Sequence, residues 1–380
     1  MVDGNKLRRY VNLYTVIYFL VLIAGIFKAI TKYIHNKPEW SFWVKTAHNP
    51  MSVNAQYVGP YLPGIKGFLT IFTAYPPYGY ILFLALNVLS CLGISYILLN
   101  HLEKPVDIKK VNWLCVCMYA PTYLCLQNNQ LIILSVFSLL FALVLLKKHQ
   151  TWTSGLVCAL SIIFKSLVLP ILVFTTLLQK WKFTILSVLL VIVISFTSLV
   201  ICENFSSSVQ AHLNWPAKVM DRNPENACPN WFNDNHSAYA ESVRMANHWD
   251  LPFIVWLHKI LSVLAFGILV YYTHKNRNNP ALFWLLASLW MAWIAYVTPF
   301  GRYYYLILLV PAWYLIGIKE SIIHQGWKTA FWYLPLFMFI KKLDGMYVVV
   351  TLVTLIYGLY ILISSIRNDS QDSNLPPETA

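Results

Sequence analysis

Residues 183–202 read FTILSVLLVIVISFTSLVIC, a run without a single charged side chain. An α-helix rises 1.5 Å per residue, so this run covers about 30 Å, the thickness of a bilayer's hydrocarbon core. Similar apolar runs recur near residues 13–30, 78–100, 112–126, 131–146, 154–164, 167–178, 252–273, 281–297, 303–318, 329–340 and 346–365. The sequence therefore predicts an all-α polytopic membrane protein with about 10–12 transmembrane or half-membrane helices.

The composition excludes an ordinary soluble protein. Of the 380 residues, 58% are apolar and 11% are charged, whereas soluble domains carry roughly a quarter charged residues. The net charge of +13 does not indicate nucleic acid as a partner, because no basic cluster is long enough to form a binding arm. In a membrane protein, excess Lys and Arg orient the loops and contact anionic lipids, so membrane lipids are the expected surroundings. No Cys or His spacing typical of a metal site occurs, and no cofactor is predicted.

Residues 112–146 are predicted to form a helical hairpin. A single helix of this length would measure roughly 50 Å, too long for a hydrocarbon core of about 30 Å. Pro121 and the polar residues 127–130 interrupt the run, and pairs of lysines flank it at 109–110 and 147–148. Short basic loops belong on the cytoplasmic side. Both ends of the hairpin are then cytoplasmic, and its Gln/Asn tip faces outward.

Residues 154–178 are predicted to form two short helices that break at Lys165 and Ser166. A continuous helix would bury Lys165 near the membrane centre, at a cost of about 2.5–3.5 kcal/mol or more. Pro170 follows the break. Lys165 then lies at a second outward tip.

The same assignment of helix ends to the two sides of the membrane places both termini in the cytoplasm. It places two long loops, 31–77 and 203–251, outside. Residues 1–366 are interpreted as one integral membrane domain, and the polar residues 367–380 as a disordered cytoplasmic tail. Cys202 and Cys228 lie beside and within the second loop, where a disulfide between them is one possibility.

Polar features gather on the predicted outer face: the two long loops, the 127–130 tip, Lys165 and residues 298–302. A one-sided polar face over a helical bundle suggests a site at the outer membrane surface. A secondary transporter stays an alternative, since half-helices flank Lys165. No internal repeat supports it, however, and midplane sites with repeats are typical of that class.

Glu39 is the single acid in loop 31–77. At the exit of the first helix it could act as a general base, or it could be an ordinary solvated side chain. Further carboxylates that could replace it in the later part of the chain are Asp221, Glu225, Asp234, Glu241 and Asp250.

Lys165 and Arg302 are lone cations among apolar residues at outward tips. Either cation could bind a lipid phosphate. Alternatively, each could extend towards the headgroups with no ligand of its own.

Several motifs, taken in order, resemble glycosyltransferase family 87. They are Tyr75-Pro76-Pro77 before the second helix, Asn129-Gln130 at the hairpin tip, Gly155 through Lys165 to Pro170, Asn235-His236-Ser237 followed by Arg244, and Thr298-Pro299. The resemblance covers roughly residues 40–315, and the order and spacing of the motifs carry it.

The resemblance implies a GT-C-like bundle at the bacterial cytoplasmic (inner) membrane with its active face outward. It implies transfer of a sugar, typically a hexose such as mannose, from a polyprenyl-phosphate donor to an envelope glycan or glycolipid acceptor. Lys165 and Arg302 would bind the donor phosphate. The residues expected to bind substrate are Tyr75, Asn129, Gln130, Asn235, His236, Arg244 and Tyr304.

The chain departs from the family at two places. The family's catalytic Asp would fall near Ser41, and the nearest acid is Glu39. The family's Trp-x-His element appears here as Gly301-Arg302-Tyr303-Tyr304. Two readings stay open: Glu39 serves as the catalytic base, or the chain is a catalytically inactive protein that binds or translocates a lipid-linked glycan.

Overall fold

The computed structural model describes residues 13–35, 62–102, 106–220, 237–298, 303–319 and 346–372, and every regular secondary-structure element within them is a helix. The α-helices are α1 (Leu13–Ile34), α2 (Ile65–Thr73), α3 (Tyr78–Ile97), α4 (Ile108–Gln127), α5 (Leu131–Lys147), α6 (Thr151–Phe164), α7 (Ile171–Leu177), α8 (Trp181–Cys202), α9 (Phe205–Met220), α10 (Ala238–Trp249), α11 (Phe253–Lys275), α12 (Phe283–Val297), α13 (Val310–Lys319) and α14 (Met346–Asp372). Two 3₁₀ segments, Ser166–Val168 and Tyr303–Leu308, precede α7 and α13, and a π-helical turn, Leu98–Leu102, continues α3.

The chain is a polytopic membrane protein, as predicted. Five helical stretches are long and apolar enough to cross a membrane: Leu13–Ile34, Tyr78–Leu102, Trp181–Cys202, Phe253–Lys275 and Tyr347–Arg367. Shorter apolar helices lie between them. Eleven of the twelve predicted apolar runs are helical, and the twelfth, 329–340, lies outside the described residues.

Apolar side chains cover the outside of the bundle as well as its centre. Helix α5 is buried along nearly its whole length, whereas α8 exposes Ile185, Leu189 and Ile192 by more than half of their surface. Exposed aliphatic rows of this kind are stable when the surrounding solvent is lipid. The arrangement places α5 in the interior and α8 at the lipid boundary.

The predicted hairpin is present, but Pro121 does not interrupt it. Helix α4 continues through Pro121 to Gln127, and the turn consists of residues 128–130. A proline removes one backbone hydrogen bond, which a packed membrane helix tolerates. Asn129 makes the turn with a φ of 47°, a left-handed conformation that Asn adopts more readily than most residues.

The helix ends separate into two groups. The Lys147 ammonium lies 5.8 Å from the Phe283 ring centroid and 5.9 Å from that of Trp284, which joins the end of α5 to the start of α12. This group is called the basic end, and its cationic residues are Lys109, Lys110, Lys147, Lys148, Lys180, Lys182, Lys275, Arg277 and Lys319. The opposite group is called the polar end, and it contains the 128–130 turn and Lys165.

The two predicted long loops contain helices that the apolar pattern missed. Helix α1 extends to Ile34, α2 lies within 31–77, and α9 and α10 lie within 203–251. Helix α2 is short and buries Ile65, Leu69 and Phe72 at helical spacing, so it is stabilised by packing more than by its own length.

The C-terminal boundary also differs from the prediction. Helix α14 continues to Asp372, beyond the predicted start of the tail at residue 367. Residues 373–380 lie outside the described part of the chain. Cys202 is exposed at the end of α8, and its proposed disulfide partner, Cys228, lies outside the described residues.

Candidate functional site

Lys165 is a buried cation at the polar end. It ends α6 with an extended backbone, and only 3% of its surface is exposed. Its ammonium nitrogen lies 5.2 Å from the ring centroid of Tyr305, a separation at which a ring face attracts a cation. The chain therefore breaks at Lys165 and Ser166 as predicted. The break places the charge between α6 and the 3₁₀ segment Tyr303–Leu308.

The same 3₁₀ segment contacts the helical hairpin. The Cys125 thiol, in the last turn of α4, donates a hydrogen bond of 3.4 Å to the Tyr304 carbonyl oxygen. The ring centroids of Tyr304 and Tyr305 are 5.1 Å apart. The segment thus brings together Lys165, Tyr304 and the helix that leads to the hairpin tip. Arg302, which precedes the segment, lies outside the described residues.

The hairpin tip is a network of amides. Asn87 on α3 donates to the Asn129 side-chain oxygen at 2.5 Å, and Lys32 on α1 donates to the Asn128 side-chain oxygen at 2.6 Å. Gln130 donates to the Asn128 carbonyl oxygen at 2.9 Å. Both Asn129 and Gln130 are 4% exposed. These bonds fasten the 128–130 turn to α1 and α3, and so fix its position beside the Tyr303–Leu308 segment.

Two atoms of this network lack a hydrogen-bond partner among the described residues. They are the Asn87 side-chain oxygen and the Asn129 side-chain nitrogen, both buried. Sequence reasoning missed Asn87, although an amide in the middle of the apolar run 78–100 was a usable signal.

Helix α2 packs beside Lys165. The rings of Phe68 and Phe164 are 4.6 Å apart, centroid to centroid, and Phe164 immediately precedes the lysine. An ion pair between Lys66 and Glu203 joins α2 to the end of α8, and both side chains are less than 10% exposed. This pair was not predicted, because both residues fall where the sequence indicated loops or loop borders.

The start of α2 is fixed by a close backbone contact with α8. The Gly64 N–H donates to the Ser195 hydroxyl at 3.0 Å, and the Ser198 hydroxyl donates to the Gly64 carbonyl at 2.8 Å. A Cβ on Gly64 would lie 2.3 Å from the Ser195 Cα. Glycine is therefore required for this approach.

Arg244 belongs to a second cluster, on α10. Ser237 caps this helix by accepting the Ala240 N–H at 3.1 Å. Glu241 is 1% exposed; its carboxylate accepts the Val348 N–H of α14 at 3.3 Å and lies 3.8 Å from the Arg244 guanidinium. The Glu241 carboxylate thus connects α10 to α14 through a hydrogen bond, and it partly neutralises the charge of Arg244.

Other candidates are placed differently or lie outside the described residues. Tyr75 is 75% exposed and precedes the cis Pro76–Pro77 bond at the start of α3. Asp250 ends α10 in a left-handed conformation. The candidates that lie outside the described residues are Glu39, Asp221, Glu225, Asp234, Asn235, His236 and Arg302. Within the described ranges, no three His, Cys, Asp or Glu side chains are grouped so that they could hold a metal ion.

The arrangement around Lys165 suits an oxyanion attached to a hydrophobic body. A buried ammonium forms strong charge-assisted hydrogen bonds with phosphate oxygens. The Tyr305 ring lies next to that charge, and the Phe164 ring, on the residue before Lys165, forms an apolar contact with Phe68. A lipid phosphate has both parts.

Comparison with known proteins identifies a family of glycosyltransferases. The sequence model of glycosyltransferase family 87 matches residues 67–299, more than half of the chain. The chain is also 21% identical over 272 residues to the alpha-(1->3)-arabinofuranosyltransferases of two Mycobacterium tuberculosis strains, CDC 1551 / Oshkosh and ATCC 25618 / H37Rv. The alignment covers 67% of this chain and 58% of each relative, so the chain spans less than two thirds of their length. No solved structure matches the chain.

Proposed function

Because the chain belongs to glycosyltransferase family 87, we propose that it transfers a sugar from a polyprenyl-phosphate donor to a glycan or glycolipid acceptor. The reaction takes place at the outer face of a bacterial cytoplasmic membrane. Nucleotide sugars are cytoplasmic, so a site on the outer face needs a lipid-linked donor. The all-α polytopic bundle is compatible with the GT-C-like fold that the resemblance to the family implies.

The observation that carries the proposal is the environment of Lys165. A buried ammonium forms strong charge-assisted hydrogen bonds with the oxygens of a phosphate. Lys165 is 3% exposed, lies against the Tyr305 ring and follows Phe164, which packs on Phe68 of α2. Its place at a helix end, at the polar face of the bundle, is where the phosphate of a membrane-embedded lipid would arrive.

The reaction is a displacement at the anomeric carbon. Glu39 takes the proton from an acceptor hydroxyl, and the acceptor oxygen forms a bond to the anomeric carbon. The bond from that carbon to the phosphate oxygen breaks, and the electron pair leaves with the polyprenyl phosphate. Lys165 and Arg302 stabilise the negative charge of the leaving phosphate.

The transferred sugar is a hexose such as mannose, as the resemblance to the family implies. The names of the curated relatives favour a second candidate, an arabinofuranosyl donor. The two donors differ in ring size, so a direct comparison of labelled polyprenyl-phosphate mannose and polyprenyl-phosphate arabinofuranose separates them.

Donor binding by Lys165 variants tests the proposal. Charge-assisted contacts contribute about 1.5–3 kcal/mol each, so Lys165→Met should weaken binding of polyprenyl-phosphate sugar by roughly 10- to 150-fold. Lys165→Arg should retain part of the affinity. Lys182→Met is the matched control, because Lys182 is exposed at the basic end. Equal affinity in wild type, Lys165→Met and the control would remove Lys165 from the donor site.

A further inference from the structure

A groove opens between α3 and α5 in the half of the bundle nearest the basic end, far from Lys165. Its volume is about 460 Å³. It is lined by Leu92, Gly93, Tyr96, Ile97, His101, Phe137, Phe141, Val144 and Lys148. Six of these nine residues have apolar or aromatic side chains, and Gly93 has none. The two basic residues, His101 and Lys148, lie at the helix ends.

The groove has the length of one membrane leaflet. From Leu92 to His101 on α3, and from Phe137 to Lys148 on α5, the helical rise corresponds to about 14–17 Å. A leaflet contributes half of a hydrocarbon core of about 30 Å. The apolar part therefore lies at the depth of acyl chains. His101 and Lys148 lie at the depth of headgroups.

The floor of the groove is formed by closely fitted aromatic rings. A Cβ on Gly93 would lie 2.3 Å from the Phe137 ring, so glycine is what lets this ring approach α3. The Phe137 and Phe141 rings are nearly parallel, with 2° between their planes and 6.0 Å between centroids. Two parallel aromatic rings in the lining offer apolar surface to a hydrocarbon chain.

The rim of the groove is shaped by a π-helical turn. Residues Leu98–Leu102 widen the end of α3, and π-turns occur frequently at functional sites. The His101 ring lies edge-on to the Tyr96 ring at 6.3 Å. Lys148, at the end of α5, is exposed on the other side of the groove. A headgroup between these two residues would meet the positive charge of Lys148 and a ring N–H donor from His101.

We propose that this groove binds one anionic phospholipid of the leaflet at the basic end. One acyl chain lies along the Phe137 and Phe141 rings, and the headgroup phosphate accepts hydrogen bonds from Lys148 and His101. Charge complementarity selects the occupant, because basic pockets between helices at a membrane surface attract anionic headgroups. The lipid joins α3, which carries Asn87 at its middle, to α5, which begins at the hairpin tip.

The test is lipid binding to the full chain in detergent, measured by native mass spectrometry with dioleoyl phosphatidylglycerol and dioleoyl phosphatidylcholine. Wild type should prefer the anionic lipid. Lys148→Gln should reduce that preference about tenfold, because one charge-assisted contact is lost. Lys182→Gln, which removes an exposed lysine of the same end outside the groove, should leave it unchanged.

A second variant tests the apolar half of the groove. Leu92→Trp should fill the groove and reduce retention of both lipids. If Leu92→Trp does not fold, as shown by the absence of a cooperative thermal transition, Phe141→Trp is used to fill the groove instead. Equal binding of the two lipids by wild type would overturn the proposal. So would equal effects of Lys148→Gln and Lys182→Gln, or full retention in the groove-filling variants. Displacement of phosphatidylglycerol by stoichiometric polyprenyl phosphate would instead assign the groove to the substrate.

Discussion

Breaking the Lys66–Glu203 ion pair should loosen helix α2 and the wall of the proposed donor site. Glu203→Gln keeps the shape of the side chain but removes its charge. It leaves the ammonium of the buried residue Lys66 beside a neutral amide. Lys66→Met removes the other charge. The double variant removes both charges and leaves a neutral contact between α2 and the end of α8.

The size of the effect follows from burial. The two side chains are 6% and 9% exposed, and removing one partner of a buried pair costs about 3–5 kcal/mol. With an unfolding entropy of about 2.1 cal/mol/K per residue, this loss corresponds to a melting temperature lower by roughly 4–6 °C. The decrease should be larger if helices persist in the unfolded state, because the unfolding entropy is then smaller.

Thermal unfolding of the detergent-solubilised single and double variants measures this effect. The double variant should be more stable than Glu203→Gln, because it no longer buries an ammonium beside a neutral amide. A double-mutant cycle built from the wild type, the two single variants and the double variant should give a coupling free energy of at least about 1 kcal/mol between Lys66 and Glu203. Donor affinity should fall in Glu203→Gln, since Phe68 of α2 packs on Phe164 beside Lys165. Additive losses with no coupling would show that the pair does not hold α2 in place.

Two further predictions concern topology and catalysis. In a background with Cys202→Ser and Cys228→Ser, which removes the exposed thiol at the end of α8 and the thiol of the predicted outer loop, cysteines introduced at Asn128 and Ser206 should both react with an impermeant maleimide added to intact cells. Labelling of only one would contradict the assignment of the polar end to the outside. Glu39→Gln should lower the rate of sugar transfer about 10²–10⁴-fold while donor binding persists. Full activity of Glu39→Gln would show that another carboxylate is the catalytic base. If wild type is inactive and Ser41→Asp is active, the natural chain is a catalytically inactive member of the family.

The membrane helices were predictable because lipid imposes one simple rule. A helix that crosses the core must be apolar over about 20 residues. The lysine pairs at 109–110 and 147–148 and the cost of burying Lys165 were sufficient to predict the hairpin and the break after α6. Both follow from length and charge alone.

The helices at the polar end were not predictable in the same way. Helices α2, α9 and α10 are short or amphipathic, so their stability comes from tertiary contacts that no local pattern contains. Pro121 was a wrong signal for a break, because a packed membrane helix tolerates a missing hydrogen bond.

The candidate site was predictable only in part. Lys165 was noticed because it is a lone charge in an apolar run. Its neighbour Tyr305 belongs to the tyrosine run 303–305, in which the sequence does not distinguish the ring that meets the cation. Pairing Asn87 with Asn129 required the structure, since 42 residues separate them along the chain.

Sugar transfer by the purified full chain in vesicles tests the central claim most directly. Radiolabelled polyprenyl-phosphate mannose, polyprenyl-phosphate arabinofuranose and the corresponding nucleotide sugars would each be supplied with a cell-envelope glycan fraction as acceptor. Transfer from a polyprenyl-phosphate donor, reduced by Lys165→Met and unchanged by Lys182→Met, is the predicted result. Transfer from a nucleotide sugar alone, or transfer from the lipid donor that Lys165→Met leaves undiminished, would contradict the account.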